Sequence, residues 1–399
     1  MTEVNLIPKI AFWFLDLPQN MKAFYQDFKL GIIGGGQLGR MLLQSCSNFN
    51  VTPCVLDPSE DGPCSGLATE YTKGSLLDYE TVYAFGKQLD MLTIEIENVN
   101  VQALYQLERD GVAVYPQPRV IEIIQDKRVQ KKFYIDHKIP TADFVLVENR
   151  RDIEAHVDFL PAYNKLGQGG YDGGGVQKLE SKKDLPLAFD DRGLLEKVVN
   201  FQAEISVIAA RNNKGEIKVF PVVECVFHPT LNLVDYLISP SSLPADIQRT
   251  AEELAKRTIE SLDMVGILAV EMFVTSEGEV LVNEVAPRPH NSGHQTINAN
   301  DTSQYEQHLR AILGLPLGST AITKPSVMVN LLGEEGYTGQ AVYEGLEKLL
   351  AIRGSSVFLY GKRITKPFRK MGHVTVLGND LDDLERKVRL VKEAIKVKA

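Results

Sequence analysis

One stretch of this chain admits very few backbone arrangements. From Glu271 to Glu284 it reads Glu-Met-Phe-Val-Thr-Ser-Glu-Gly-Glu-Val-Leu-Val-Asn-Glu. Apolar and β-branched residues on two arms, separated by the polar Ser276–Glu279, predict an antiparallel hairpin. Pairing Thr275 with Val280 sets Glu271 directly across from Glu284, on the same face. Two ionised carboxylates that close repel each other. Such a pair persists when a cation lies between them, and Mg²⁺ takes oxygen ligands of this kind. Glu271 and Glu284 are therefore candidate metal ligands, with Mg²⁺ (or Mn²⁺) as the ion. The plainer alternative is a surface hairpin whose acidic residues face water.

The residues that follow weigh against that alternative. Val-Ala-Pro-Arg288-Pro-His290-Asn291-Ser292-Gly293-His294 presents five polar side chains within seven positions on a backbone stiffened by two prolines. A strand ending in Asn283-Glu284 and running into such a loop has the pattern of an active-site wall. Arg288, His290, Asn291 and His294 are the candidate catalytic residues.

At 399 residues the chain is too long for one ordinary core and suggests two or three domains. With 43 basic and 52 acidic side chains the net charge is −9, which argues against broad nucleic-acid or anionic-membrane binding. Cys46, Cys54, Cys64 and Cys225 show no CxxC spacing, as expected of free thiols in a reducing cytoplasm. No apolar run reaches membrane-spanning length, and the short patch Ile10–Phe14 lacks the context of a signal peptide. Residues 1–28 are expected to be an N-terminal extension.

Residues 29–125 alternate short apolar strands with helical stretches, the pattern of a parallel α/β domain. A second unit is expected over 126–318, opening with a helix at Asp126-Lys127. Leu315–Pro325 has the composition of a linker, and 319–399 is expected to form a smaller mixed domain.

Two glycine-rich turns carry the nucleotide question. Gly34-Gly-Gly-Gln37-Leu-Gly39 follows a strand and opens a helix, with Asp57 about twenty residues on, and so meets the dinucleotide fingerprint. An NAD(P)-dependent oxidoreductase is the rival reading from this turn, although glycines at a helix N-terminus suit any phosphate. The second turn, Lys165-Leu-Gly-Gln-Gly-Gly170-Tyr171-Asp172-Gly173-Gly174-Gly175, has six glycines in nine positions (167–175). That is costly in backbone entropy for a plain hairpin. It suits a lid whose amides close on polyphosphate, with Lys165 as a fixed charge at its base. Beyond it, the strand Leu194–Val199 could offer backbone groups and Glu196 to a purine edge, and Glu204 could bind ribose hydroxyls. In chain order, Lys127, Lys165, the lid, Glu196, Glu204, Glu271 and Asn283-Glu284 make one coherent ATP–Mg²⁺ site.

That order resembles the ATP-grasp superfamily. Gly36-Gln-Leu-Gly-Arg-Met41, Glu95-Ile-Glu97, Gly169-Gly-Tyr-Asp-Gly173, Asn283–His294 and Arg369-Lys-Met-Gly-His373 narrow the resemblance to the N5-carboxyaminoimidazole ribonucleotide synthetases, over residues 29 to about 375. The resemblance implies a three-domain ATP-grasp fold, with an N-terminal Rossmann-like domain and a small C-terminal mixed α/β domain, commonly as a homodimer. It implies a cytoplasmic ligase that carboxylates 5-aminoimidazole ribonucleotide with ATP and bicarbonate. Lys127, Lys165, Gly170 to Val176, Glu196, Lys197, Val198, Val199, Glu204, Phe227, Asn283 and Glu284 then correspond to ATP contacts. Gln37, Glu97, Tyr171, Asp172, Arg288, Lys362 and Arg369 correspond to substrate contacts. The chain departs from the family where Lys127 replaces a frequent Arg, where Phe227 replaces a histidine, and where Gly174 follows Asp-Gly in place of a basic residue. Another ATP-grasp ligase, or a nucleotide-binding module without turnover, shares parts of this pattern.

Overall fold

The computed structural model describes residues 23–170, 174–227 and 234–399. Its N-terminal part is a five-stranded parallel sheet in the order Glu70–Lys73, Thr52–Asp57, Lys29–Ile33, Met91–Ile94, Ala113–Val114. The central strands are apolar on both faces because helices cover both faces. Gln37–Asn48 contributes Leu38, Met41 and Leu42 to one core, and Tyr79–Gly86 and Val101–Arg109 contribute Val82, Phe85 and Leu104 to the other. Asp78 and Asn100 cap the latter two helices by accepting from Thr81 N–H and Ala103 N–H.

The helix Lys127–Asp136, capped by Asp126, leads into a four-stranded antiparallel sheet ordered Phe144–Val147, Gly193–Lys197, Ala162–Leu166, Val176–Leu179. Facing it is a larger antiparallel sheet, with Val280–Ala286 at one edge, then Gly266–Thr275, Phe201–Arg211, Val223–Phe227 and Val234–Ser239. The helix Ala245–Ser261 packs Ala251, Leu254 and Ile259 into its core. This sheet does not stop at the linker-like stretch. Val234–Ser239 pairs with Ser326–Leu332, and Lys370–Leu377 and Ser355–Leu359 extend it further. The C-terminal part is thus built onto the same sheet as the hairpin.

The hairpin differs from its expected register in an instructive way. Val280 pairs with Val274, not Thr275, because Thr275 closes the turn: its N–H donates to Glu279 O at 2.8 Å, and Gly278, at φ +86°, takes the left-handed position. That one-residue shift would face Glu271 with Asn283. A bulge between Glu271 and Met272 inserts Asn283 as an extra residue and returns Glu284 opposite Glu271. The four cysteines are free, and among the described residues no helix is long and apolar enough to cross a membrane.

Candidate active site

The bulge aims two neighbouring side chains at the same cleft. Glu284 Oε2 lies 3.0 Å from Lys127 Nζ, and Asn283 Oδ1 accepts from Lys165 Nζ at 3.3 Å. Lys127 opens its helix, and Lys131 follows one turn later on the same face. Lys165 comes from the strand Ala162–Leu166, and Glu196 lies diagonally across from it on Gly193–Lys197. Glu196 is clamped between two cations, with Lys165 Nζ 2.5 Å from Oε1 and Lys131 Nζ 2.5 Å from Oε2. Burial opposes its ionisation, but Lys165 and Lys131 outweigh burial and hold it below the usual carboxylate range. At 2 % exposure its carboxylate is not free to meet a purine edge. It is the counter-charge that positions Lys165. Lys131, which sequence reasoning passed over as an ordinary helix lysine, also donates to Thr141 Oγ1 and so ties this cluster to Val282 O on the hairpin.

The carboxylate pair is strongly asymmetric. Lys127 draws Glu284 down to about 2. Burial, then repulsion from Glu284 and Glu204, pushes Glu271 up to about 8. Glu271 faces His290, with Nε2 3.4 Å from Oε1. Ser292 N–H points to His290 Nδ1 at 3.3 Å, which leaves the ring proton on Nε2, toward the carboxyl. Burial, with Arg288 and Lys370 nearby, lowers His290 to about 3, so the ring is neutral. Ser292 Oγ is 2.9 Å from His290 Nδ1 and 2.7 Å from Ser206 Oγ, and Ser206 is the strand neighbour of Glu271. Gly293 admits no side chain, since a Cβ would fall 2.3 Å from Ile208 Cδ1 and 2.5 Å from Gln304 Oε1.

Arg288 reaches across to the N-terminal part, where its Nε is 3.0 Å from Glu97 Oε1 in a mostly buried pair. Asn291 exchanges amide contacts with Asn330 at 3.0 and 3.3 Å. His294 does not open onto the cleft. It is 1 % exposed, with Nδ1 3.1 Å from the Tyr305 hydroxyl. Burial pushes Glu204 up to about 7. Lys197 turns its ammonium to Phe159 O at 3.0 Å. Val198 and Val199 follow in irregular backbone, and Phe227 ends its strand. In the lid, Gly170 and Gly175 have φ of +83° and +81°, and a Cβ at Gly170 would meet Gly174 O at 2.0 Å. Val176 begins the next strand. Tyr171, Asp172 and Gly173 lie outside the described residues.

The first glycine turn is already satisfied from within. Glu95 accepts from Gly36 N–H at 2.9 Å and Gly39 N–H at 3.0 Å, and Asp57 accepts from Gly35 N–H at 2.7 Å. A dinucleotide pyrophosphate needs those same amides, so the fingerprint here is a packed turn. Instead, Gly35, Gly36 and Asp57 line a cleft of about 240 Å³ with Lys362 and Arg369 from the C-terminal part. Gln37 stands beside it as the first residue of its helix. Lys362 Nζ and Arg369 Nη1 donate to the carbonyls of Lys370 and Ile364 at 2.8 and 2.6 Å, which holds both cations at the cleft rim.

Comparison with known proteins covers almost the whole chain. A family model described as the ribonucleotide synthetase preATP-grasp domain matches residues 28–125, and the ATP-grasp domain matches 132–305. The phosphoribosylaminoimidazole carboxylase C-terminal domain matches 326–387. The N5-carboxyaminoimidazole ribonucleotide synthase of Bacillus subtilis is 39 % identical over 365 residues, covering 90 % of this chain and 94 % of that protein. The chloroplastic phosphoribosylaminoimidazole carboxylase of Vigna aconitifolia is 38 % identical, and the chain spans 66 % of its length. The crystal structure of N5-carboxyaminoimidazole ribonucleotide synthetase from Thermotoga maritima superposes with a TM-score of 0.86 at 42 % identity, over 93 % of this chain and 99 % of that one. The Aspergillus clavatus enzyme in complex with ADP and 5-aminoimidazole ribonucleotide gives 0.84 at 30 % identity, over 93 % and 99 %.

Proposed function

The chain belongs to the N5-carboxyaminoimidazole ribonucleotide synthetase family of ATP-grasp ligases, and we propose that it uses ATP and bicarbonate to carboxylate the amine of 5-aminoimidazole ribonucleotide. The observation that carries this reading is the convergence of three unlike groups of residues. The lysine–carboxylate cluster suits a nucleoside triphosphate, the Arg288–His290 loop suits a small oxyanion, and the Lys362/Arg369 cleft suits a second phosphate.

Glu271, Glu284 and the Asn283 amide oxygen are hard donors, and Glu271 carries the mark of a carboxylate without its counter-ion; both fit Mg²⁺. Among the described residues no three His, Cys, Asp or Glu side chains form a metal cage, so Glu271 and Glu284 would hold the ion only together with groups from outside the protein. When bound, the ion supplies charge neutralisation at the phosphate oxygens.

The chain's own groups do the positioning that phosphoryl transfer needs. Lys165, aimed by Glu196, and the lid amides offset charge on the β- and γ-phosphates. Arg288, with Glu97 holding one side of its guanidinium, and the Nε2–H of His290 orient bicarbonate. A bicarbonate oxygen attacks the γ-phosphorus, the bond to ADP breaks, and carboxyphosphate forms away from water. Carboxyphosphate separates into CO₂ and phosphate, the ribonucleotide amine attacks the CO₂ carbon, and the phosphate takes the amine proton. Lys362 and Arg369 hold the ribonucleotide 5′-phosphate throughout.

ADP release measured with each substrate omitted in turn tests this reading. It should require bicarbonate and rise strongly with the ribonucleotide; equal rates with and without the ribonucleotide would overturn it. Family likeness supports a homodimer, for which a sedimentation mass near twice 44.4 kDa is expected.

A further inference from the structure

Two histidines that take no part in the chemistry above are buried together where three parts of the fold meet. His294 ends the loop that carries Arg288 and His290, and His373 lies on the strand Lys370–Leu377. Their rings stack with centroids 4.5 Å apart and planes at 24°. Phe358, directly across the strand pair, stacks on His373 at 4.6 Å and 11°. The result is one stack of three rings, Phe358–His373–His294.

Each histidine is pinned by a tyrosine. Tyr360 hydroxyl is 3.0 Å from His373 Nδ1, and Tyr305 hydroxyl is 3.1 Å from His294 Nδ1. Both tyrosines are 1 % exposed and share a core with Leu38 and Met41 of the N-terminal helix. His373 Nε2 is buried with no hydrogen-bond partner. An apolar ring would avoid that cost, but only an imidazole can both stack and hold Tyr360.

The placement of these rings along the chain gives the stack its consequence. Tyr360 stands two residues before Lys362, and His373 four residues after Arg369. The segment that carries both phosphate-clamp residues therefore leaves and re-enters the body of the protein at the stack. The other end of the stack is the bicarbonate loop itself.

We infer that the Phe358–His373–His294 stack is a positioning device that sets the ribonucleotide clamp against the bicarbonate loop. It fixes the path over which CO₂ released at one must reach the amine held by the other. The inference rests on the function proposed above, and His373 and His294 act as positioning residues that do not touch substrate.

The test is the ratio of ADP to carboxylated ribonucleotide formed in one reaction by the full chain. Wild type should give one ADP per product. His373→Leu should keep bicarbonate-dependent ATP cleavage with a KM for ATP within about twofold, yet make about three or more ADP per product and show a KM for the ribonucleotide raised about fivefold. His373→Phe, which keeps a ring in the stack but loses the bond to Tyr360, should give a ratio between those of wild type and His373→Leu. A ratio of one in a folded His373→Leu enzyme overturns the inference, as does an equal loss on the ATP and ribonucleotide parameters. Where His373→Leu fails to fold, Tyr360→Phe decides: a ratio clearly above one supports the inference, and a ratio of one overturns it. A wild-type enzyme whose ADP release ignores the ribonucleotide would remove the functional reading itself, and this inference with it.

Discussion

Glu271→Gln removes the titratable group from the carboxylate pair while keeping its shape, and it should change how the stability of the nucleotide-free protein depends on pH. Burial, then repulsion from Glu284 and Glu204, raises Glu271 from its ordinary 4.5 to about 8. Below pH 4.5 the folded and unfolded chains both hold this proton, so the group contributes nothing. Between pH 4.5 and 8 the unfolded chain releases the proton and the folded chain keeps it. Stability is therefore lost as pH rises through that window, and the loss is constant above it. From pH 4.5 to 7 the ceiling is about 3 kcal/mol, at ~1.4 kcal/mol per pH unit. The Glu271 side chain is 30 % exposed, and solvent screening reduces the figure to about 1–2 kcal/mol. Glutamine has no such proton to keep and still offers His290 an acceptor. The variant should melt with wild type at pH 5 and about 1–2 °C above it at pH 7–8. Mg²⁺ with ATP should then stabilise wild type more than the variant. Thermal melts across pH 5–8.5 check this, and parallel curves would refute the buried-carboxylate reasoning.

Lys131→Met takes one cation from Glu196 and a donor from Thr141. A loss of about 2–3 kcal/mol is expected in denaturant melts, together with a raised KM for ATP as Lys165 loses its fixed anchor. Arg369→Ala removes a charged contact worth about 1.5–3 kcal/mol and should cut kcat/KM for the ribonucleotide roughly 10- to 150-fold, with the KM for ATP little changed. An equal loss on the dephosphorylated nucleoside would contradict the phosphate clamp. Gly293→Ala forces a methyl group into Ile208 and Gln304 and should cost about 1–3 kcal/mol; an unchanged melting temperature would count against the close packing of the loop.

Period and propensity made most of the elements legible. Lys29–Ile33 and Gln37–Asn48 are the strand and the helix expected on either side of the first glycine turn. The carboxylate pairing was legible for a partly mistaken reason. Apolar alternation revealed two strands and a turn, but alternation cannot see a bulge, and here the bulge cancels a one-residue error in the turn. Glu196 looked like a ligand group because sequence shows a carboxylate on a strand but not the two lysines that converge on it from a helix and a neighbouring strand. Its helical spacing from Lys127 was the one available signal for Lys131. The glycine turn misled in the opposite way. Its motif records that three amides need acceptors, and Glu95 and Asp57 provide them from the adjacent strands. His294 sits in a loop rich in functional residue types, yet its partners, Tyr305 and His373, lie eleven and seventy-nine residues away.

In the proposed mechanism bicarbonate itself attacks the γ-phosphorus. Bicarbonate labelled with ¹⁸O, supplied with ATP and 5-aminoimidazole ribonucleotide in a single turnover fast relative to exchange with water, tests it most directly. The released phosphate should carry one ¹⁸O atom, transferred when carboxyphosphate breaks its carbon–oxygen bond. Unlabelled phosphate, formed at the same rate as ADP, would show that another nucleophile takes the phosphoryl group.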